Sequence, residues 1–380
     1  MSKGDRMNTV NEFFMKMTDK VSFVQLKKGA TFKIRDYLVK DDIPLPIITT
    51  TLIDEIKDGD IVEELKVMHL IEGIIYILGI DYNFKYNKQY KDILYSFNEN
   101  IEDFILYEGL SLYEKEQYED SAIFFRALNN INDSNIQGLF NYALSLEQIA
   151  NKFMSLGQEK RGEEFLAEST KQFEKILDID DKYSLAYYKL GYYYRYFGQY
   201  QKAKLMWEKF IAFDTDELRI QEIREQLDII TDQADYEEGV NYLTLGNYEK
   251  ALVKLSILAS KHKKAWDLHY MAGLACKGLG EYEEAVEYFC EAMNLGGNDS
   301  DLYNELGICL FTIGNIKEAI EIYNKGIAEY PNDYKLFFNR GLMYLQLGSI
   351  QEAKEDIRTA YTLNPNDPSV RDMIINVENL

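Results

Sequence analysis

Cysteine, proline and histidine are scarce in this chain of 380 residues, which has three, five and three of them. The cysteines form no CxxC pair and no even set for a disulfide framework. We interpret them as small core residues in a reducing cytosol, and metal ligation is the less favoured alternative. The histidines occur in no HExxH motif and are interpreted as structural. These residues are Cys276, Cys290 and Cys309, and His69, His262 and His269.

Motifs for catalysis and nucleotide binding are also missing from the sequence. It contains no P-loop, no GxGxxG and no GxSxG, which are the usual marks of phosphate, dinucleotide and nucleophile sites. Carboxylates are abundant, but 64 acidic residues make chance pairs certain. We therefore expect no enzyme activity, no catalytic residue, no cofactor and no metal site.

Positive charge is in short supply as well. The chain has 42 basic and 64 acidic residues and a net charge of −22, which argues against a nucleic-acid or anionic-membrane surface. Neutral or basic partners remain compatible with this charge. The longest apolar run, Ile74–Ile80, is too short to span a bilayer. The first residues lack the apolar segment of a signal peptide, so we expect a cytoplasmic protein.

What the sequence does contain is a repeat with a period of 34 residues between 232 and 367. Such a period is typical of stacked helical units, each of which buries its apolar face only against its neighbours. The repeated positions are small residues and a proline: Gly239, Gly273, Gly307 and Gly341; Gly246, Gly280, Gly314 and Gly348; Ala251, Ala285, Ala319 and Ala353; and Pro331 and Pro365.

One unit, residues 300–333, shows why two helices form. Asp299 can cap the first helix, and Gly314 ends it because glycine takes the left-handed backbone conformation without steric cost. Pro331 ends the second helix because it lacks an N–H. Gly307 and Ala319 are small where the two helices must approach each other closely. The unit therefore predicts an antiparallel helix pair.

These positions resemble the tetratricopeptide repeat family. The resemblance covers most of residues 102–367 and implies a right-handed superhelical solenoid of antiparallel helix pairs that binds other proteins along a concave groove. We therefore expect an all-α fold with a small, mostly helical N-terminal region. The signature occurs as Tyr303-x2-Leu306-Gly307-x2-Leu310, Ala319-x3-Tyr323 and Pro331, and again as Tyr187-x2-Leu190-Gly191-x2-Tyr194 and Ala203-x3-Trp207.

The spacing predicts five segments along the chain. Two intervals between repeat positions, Ala143 to Gly191 and Gly191 to Gly239, are 14 residues too long. In the first, the extra residues fall between two helices that should both be long. In the second they read as a separate helix or as an extension of the helix that ends near Leu245. The predicted segments are a non-repeat region 1–100, degenerate and long repeats 101–217, an interrupting helix 218–231, four regular repeats 232–367 and a capping helix 368–380.

The first hundred residues do not match the repeat. Two apolar stretches, Phe23–Leu26 and Thr31–Ile34, flank Lys27–Ala30 and predict a short β-hairpin. Residues 61–79 predict a buried helix. Nine basic and four acidic side chains make residues 1–40 positive, which leaves two interpretations: this segment docks on the acidic repeats, or it is a solvated, partly disordered arm.

A second face of the first helix of each unit is also apolar or aromatic, where a solvated face would be polar. Packing between adjacent first helices explains part of this pattern. Large aromatic residues at the edge of a groove are also typical binding anchors, and we favour a ligand-binding groove. The predicted groove residues are Tyr188, Tyr192, Arg195, Tyr236, Val240, Tyr270, Leu274, Asn304, Ile308, Phe311, Phe338 and Leu342.

The favoured function is a non-enzymatic adaptor or scaffold that binds a peptide segment or a partner protein with apolar anchors and neutral or basic character. Some members of the family hold a C-terminal carboxylate with basic and amide groups, and only Lys335 and Asn339 fit that pattern here. The alternative is a peptide-sensing regulator whose N-terminal region acts on a second partner or on nucleic acid. Homo-oligomerisation is compatible with both hypotheses.

Overall fold

The computed structural model describes residues 9–50 and 67–379. This part of the chain is mostly helical, with four short strands near its start. It divides into two compact units. The N-terminal unit runs to Gly198 and includes Leu205–Arg224, and the C-terminal unit comprises Gln199–Lys204 and the chain from Glu225 onward. No helix in the described ranges is both long enough and apolar enough to cross a membrane.

The described part of the N-terminal unit starts with a short helix and two small antiparallel sheets. Helix α1 (Thr9–Met15) leads through a 3₁₀ turn, Lys16–Lys20, into β1 (Val21–Val24), β2 (Thr31–Ile34), β3 (Tyr37–Lys40) and β4 (Leu45–Ile48). Strand β1 pairs with β4, with Val21 opposite Ile48. Strand β2 pairs with β3, with Thr31 opposite Lys40.

The predicted pairing of the two strands around Lys27–Ala30 is therefore wrong, although a hairpin is present. The hairpin is β2–β3, because Arg35 and Asp36 form a two-residue loop between Ile34 and Tyr37. Arg35 has the positive φ of 47° that short hairpin loops favour. Residues 27–30 instead form a turn, which is stabilised by a hydrogen bond from the N–H of Gly29 to the Asp41 carboxylate at 2.7 Å.

The helices of the N-terminal unit follow in antiparallel succession: α2 (Val67–Ile80), α3 (Asn87–Phe97), α4 (Ile101–Glu114), α5 (Tyr118–Ile131), α6 (Ile136–Ser155), α7 (Glu159–Ile179) and α8 (Ser184–Tyr196). Helix α2 confirms the buried helix predicted for 61–79, of which residues 61–66 lie outside the described residues. Helices α6 and α7 have 20 and 21 residues, which confirms that both members of this pair are long.

Two helices carry residues of both units: α9 (Tyr200–Phe213) and α10 (Glu217–Thr244). Helix α10 is 28 residues long and unbroken. Of the two interpretations of the extra residues near 218–231, the structure therefore has the helical extension rather than a separate helix.

The C-terminal unit continues with regular pairs: α11 (Tyr248–Lys261), α12 (Trp266–Leu279), α13 (Tyr282–Asn294), α14 (Ser300–Thr312), α15 (Ile316–Glu329), α16 (Tyr334–Gln346), α17 (Ile350–Leu363) and α18 (Pro368–Glu378). Each helix packs against the next, and α14 also contacts α12 and α16. Helix α18 buries Val370 and Val377 at the end of the stack. The predicted solenoid of antiparallel helix pairs and its final helix are present.

The first helix of the chain docks on the N-terminal unit. Phe13 lies edge-on to Phe153 and Phe165, with ring centroids 5.9 and 5.1 Å away, and Phe14 is fully buried. Lys20 forms a 3.0 Å ion pair with Asp120. For the described residues from Thr9 onward, docking is therefore the correct alternative. Lys3, Asp5 and Arg6, which contribute to the charge of this segment, lie outside the described residues.

Candidate functional site

The predicted groove residues of the C-terminal unit include pairs one helical turn apart on successive first helices, and these pairs are called the groove face. Residues at i and i+4 lie on the same side of a helix, so each pair faces one direction. Asn304 is buried at 7% exposure, and the other seven are half-buried. The pairs are Tyr236 and Val240 on α10, Tyr270 and Leu274 on α12, Asn304 and Ile308 on α14, and Phe338 and Leu342 on α16.

A cavity of about 440 Å³ lies between α14 and α16. Three predicted groove residues, Ile308, Phe311 and Leu342, line it together with Asn339 and Met343. Phe311 and Leu342 also pack against the buried core beneath. The structure thus brings these three side chains together around one apolar opening, which the amides of Asn339 and Gln346 also line.

Asn304 forms hydrogen bonds with a residue that lines this cavity and with a residue of the core. The side-chain NH₂ of Asn339 donates to the Asn304 side-chain oxygen at 2.6 Å, and the Tyr323 hydroxyl donates to the Asn304 backbone carbonyl at 3.3 Å. Buried amides are stable only with such partners. Asn339, which the sequence suggested only for carboxylate binding, thus lines the cavity together with Gln346, and its bond to Asn304 holds it in place.

Charged side chains bridge the first helices of neighbouring repeats. Lys277 on α12 pairs with Glu305 on α14, and Lys335 on α16 pairs with Asp301 on α14 at 3.2 Å. The hydrogen bond to Asp301 raises the pKa of Lys335. Because Asp301 already balances this lysine, the pair Lys335 and Asn339 is a poor receptor for a peptide carboxylate.

The predicted residues of α8 lie in the N-terminal unit and make internal bonds. The hydroxyls of Tyr188 and Tyr192 both donate to Oε1 of Glu222, the first at 3.0 Å. Their rings lie 5.3 Å from Phe210 and 5.1 Å from Trp207. Burial, and then the bond to Glu222, raises the pKa of both tyrosines. This geometry supports internal packing for these two rings.

The other predicted residues are part core and part surface. Arg195 is half-buried on the last turn of α8. Tyr270 packs 5.8 Å from Phe289, and burial raises its pKa. Tyr236 lines a different cavity, of about 530 Å³. A binding role for these residues stays a prediction.

Two of the cysteines differ in their surroundings. Cys276 lies near Glu281 and Glu284 in a grouping of metal-ligand size, but burial raises its pKa to about 12, which disfavours the thiolate that a metal needs. The expectation that all cysteines are core residues is wrong for Cys290, which is exposed. Its neighbour Phe289 takes the inward position on α13.

Together these features define a solenoid of helix pairs with a cavity lined by apolar side chains between α14 and α16. Four sequence profiles of the tetratricopeptide repeat match the chain, at residues 185–213, 236–299, 277–337 and 334–367. Residues 185–213 and 236–367 are therefore tetratricopeptide repeats. This repeat is generally a non-enzymatic protein-interaction fold, which supports a role in protein interaction for this chain.

Solved structures with a similar arrangement are also tetratricopeptide repeat proteins or their assemblies. The Arabidopsis OM64 TPR domain is 20% identical, with 30% of this chain and 95% of that chain covered and a TM-score of 0.29. The APC/C hetero-tetramer Cut9-Hcn1 is 15% identical, with 82% of this chain and 62% of that chain covered and a TM-score of 0.37. YrrB, a TPR protein with an unusual peptide-binding site, is 20% identical, with 67% of this chain and 98% of that chain covered and a TM-score of 0.28. A comparison with curated proteins gave no match. At these TM-scores the likenesses carry no argument about function.

Proposed function

We propose that the C-terminal unit binds a peptide segment of a partner protein along its groove face. The observation that carries this proposal is the cavity lined by Ile308, Phe311 and Leu342. An apolar side chain of the peptide enters this cavity, and Asn339 at its edge bonds the peptide backbone. Aromatic and aliphatic anchors in such pockets supply most of the free energy of binding at interfaces.

The charge of the chain sets the character of the peptide. A net charge of −22 repels acidic ligands, and Lys335 is already paired with Asp301. The preferred segment is therefore neutral or basic with apolar anchors, and it is not a C-terminal carboxylate ligand. The alternative in which residues 1–100 act on nucleic acid has no specific observation in its favour.

Selection of displayed random peptides on the purified full chain tests this proposal. We expect the selected peptides to share an apolar anchor and to avoid acidic residues. Phe311→Ala and Leu342→Ala should each weaken their binding by about 2 kcal/mol or more, while the thermal midpoint falls less than for a buried core residue. Fluorescence anisotropy with one selected peptide gives the affinity.

The matched controls are Val253→Ala and Ile257→Ala on α11, since both residues are apolar and exposed, at 59% and 60%. They should leave the affinity unchanged. Equal losses at these control positions would mean that the peptides adhere to any apolar surface, and the groove proposal would then be abandoned.

A further inference from the structure

The long helix α10 forms one wall of another cavity in the C-terminal unit. Its volume is about 530 Å³. Ile229, Asp232 and Tyr236 of α10 form one wall, at the i, i+3 and i+7 positions that share a helix face. The end of α11 and the start of α12 form the opposite side. Ile229 belongs to the helical extension that the 34-residue unit lacks.

The inner walls of the cavity are apolar. Leu258 and Leu268 are 3% and 6% exposed, and the half-buried ring of Tyr236 stands beside them. Ile229 lies at the entrance and is 55% exposed. A chain of several methylene groups therefore has apolar surface to bury from the entrance inward.

The titratable groups that line the cavity are three carboxylates, one imidazole and two phenols: Asp232, Glu237, Asp267, His262, Tyr200 and Tyr236. Two of the carboxylates are already bonded. Asp232 pairs with Lys261 at 2.7 Å and contacts His262 at 2.8 Å. Glu237 accepts the backbone N–H groups of Tyr200 and Gln201 at 3.2 and 2.8 Å.

Asp267 differs from the other two. Among residues 9–50 and 67–379 it has no hydrogen-bond or ion-pair partner. Burial and, after it, the charge of Asp267 raise the pKa of Tyr236, which places this carboxylate within electrostatic reach of the ring. The cavity thus combines an apolar wall, an aromatic ring and one unused negative charge.

We propose that this cavity binds the side chain of an arginine or lysine from a partner protein. The aliphatic stem lies along Leu258 and Leu268, as long basic side chains do on apolar surfaces. The charged group lies between the Tyr236 ring and the Asp267 carboxylate. The carboxylate attracts it through its negative charge, and the ring attracts it through its quadrupole. This site is separate from the cavity between α14 and α16 and does not rest on the groove proposal.

Small amides test the inference on the full chain. N-acetyl-arginine amide and N-acetyl-lysine amide are titrated against protein carrying ¹³C-labelled isoleucine and leucine methyl groups. Both should shift the methyl signals of Ile229, Leu258 and Leu268. N-acetyl-norleucine amide has a similar stem without the charge, and its affinity should be lower by about tenfold or more.

Asp267→Asn should weaken arginine amide binding about tenfold, and Tyr236→Leu should weaken it as well. The control is Asp372→Asn, which neutralises an exposed carboxylate on α18. If Asp267→Asn lowers the thermal midpoint, the role of charge is tested on the unmodified chain instead. The affinity of the unmodified chain for arginine amide should fall as the salt concentration rises.

Equal binding of norleucine and arginine amides would overturn the inference, and so would an affinity that is independent of both Asp267 and salt. Shifts confined to Ile308 and Leu342 would also overturn it, since they would place the ligand in the α14–α16 cavity. That last result leaves the groove proposal standing, and failure of the displayed-peptide experiment would leave this inference standing.

Discussion

Gly307 of α14 lies against the ring of Tyr323 of α15, so that a β-carbon on residue 307 would be 2.4 Å from Cζ of that ring. Tyr323 is fully buried and cannot move away without disturbing the core. Close approach of the two helices thus depends on the missing side chain at 307. The glycine column of the repeat has a direct steric cause here.

Gly307→Ala should therefore destabilise the chain. Overpacking costs about 1–3 kcal/mol, which exceeds the gain of up to about 1 kcal/mol in helix propensity. Urea unfolding followed by circular dichroism measures the difference. Combining the change with Tyr323→Leu should cost less than the sum of the two single changes, and strict additivity would contradict the proposed clash.

Ala285→Leu and Ala319→Leu test the alanine column. Both alanines are fully buried, so each change should cost about 1–3 kcal/mol. The matched control is Ala328→Leu, because Ala328 is exposed on the same helix as Ala319. Thermal unfolding should show lower midpoints for the two column variants and an almost unchanged midpoint for the control. Equal midpoints in all three would mean that the repeat positions are assigned wrongly.

Asp214 gives a prediction for pH. Burial raises its pKa, but the N–H of Asp216, the Arg219 guanidinium and the Ser184 hydroxyl outweigh burial, so the net shift is downward. A pKa lowered in the folded state stabilises the fold above the unfolded value of about 3.9, and this contribution is lost as the pH falls through the folded value. Acid should therefore remove stability that Asp214 supplies at neutral pH.

Thermal midpoints between neutral pH and pH of about 2.5 check this expectation. Asp214→Asn should lower the midpoint most at neutral pH, and the difference from the unmodified chain should shrink in acid. Asp228→Asn, at an exposed position of α10, is the control. A difference that grows in acid would show that the pKa of Asp214 is not lowered.

Residues 216–380 should fold by themselves, because the contacts of a solenoid are made between neighbours. This fragment lacks Lys204, which bonds Asp235 at 3.0 Å, and it lacks the N–H groups of Tyr200 and Gln201 that Glu237 accepts. We expect a helical circular dichroism spectrum with a lower midpoint than the full chain. A spectrum without helix would mean that the predicted segments fold only as one cooperative unit.

Arg126 links three parts of the N-terminal unit. Its guanidinium donates to the Gly79 carbonyl at 2.7 Å, to the Tyr142 hydroxyl at 2.9 Å and to the Asn11 side-chain oxygen at 3.1 Å. It also lies 4.5 Å above the Phe14 ring. Only arginine has enough donors in a fixed plane to make all three contacts.

Arg126→Lys should therefore release α1 more than it disturbs the repeats. Losing bonds to a buried charge costs about 1.5–3 kcal/mol, and hydrogen exchange of residues 9–15 should accelerate more than that of α14. Arg224→Lys, at an exposed position of α10, is the control. Unchanged exchange at residues 9–15 would show that Arg126 does not anchor this helix.

The helix pairs were predictable because their causes are local. Gly307, Ala319 and Pro331 act on neighbours within one unit, so the 34-residue period is enough to recognise them. The strand pairing was not predictable, because β1 pairs with β4, which lies more than twenty residues later in the sequence. The short loop at Arg35 decides that β2 pairs with β3.

The groove face was harder to predict from sequence. A half-buried aromatic residue has the same spacing whether it packs internally, as Tyr188 does through Glu222, or lines an opening, as Phe311 does. The cavity at Tyr236 was missed altogether. The 14 extra residues before Gly239 were the one signal for it, and they indicate a longer helix without showing which side chains it brings together.

The anchoring of α1 also limits the order in which the chain can fold during synthesis. Asn11 is bonded by Arg126, and Phe13 packs against Phe165, about 150 residues later in the sequence. At about 5–20 residues per second, a ribosome needs roughly 8–30 s to make that stretch. Helix α1 must wait for its binding surface over this time, because it leaves the ribosome before α6 and α7. Its exposed phenylalanines are then available to chaperones, and the N-terminal unit closes only after α7 has emerged.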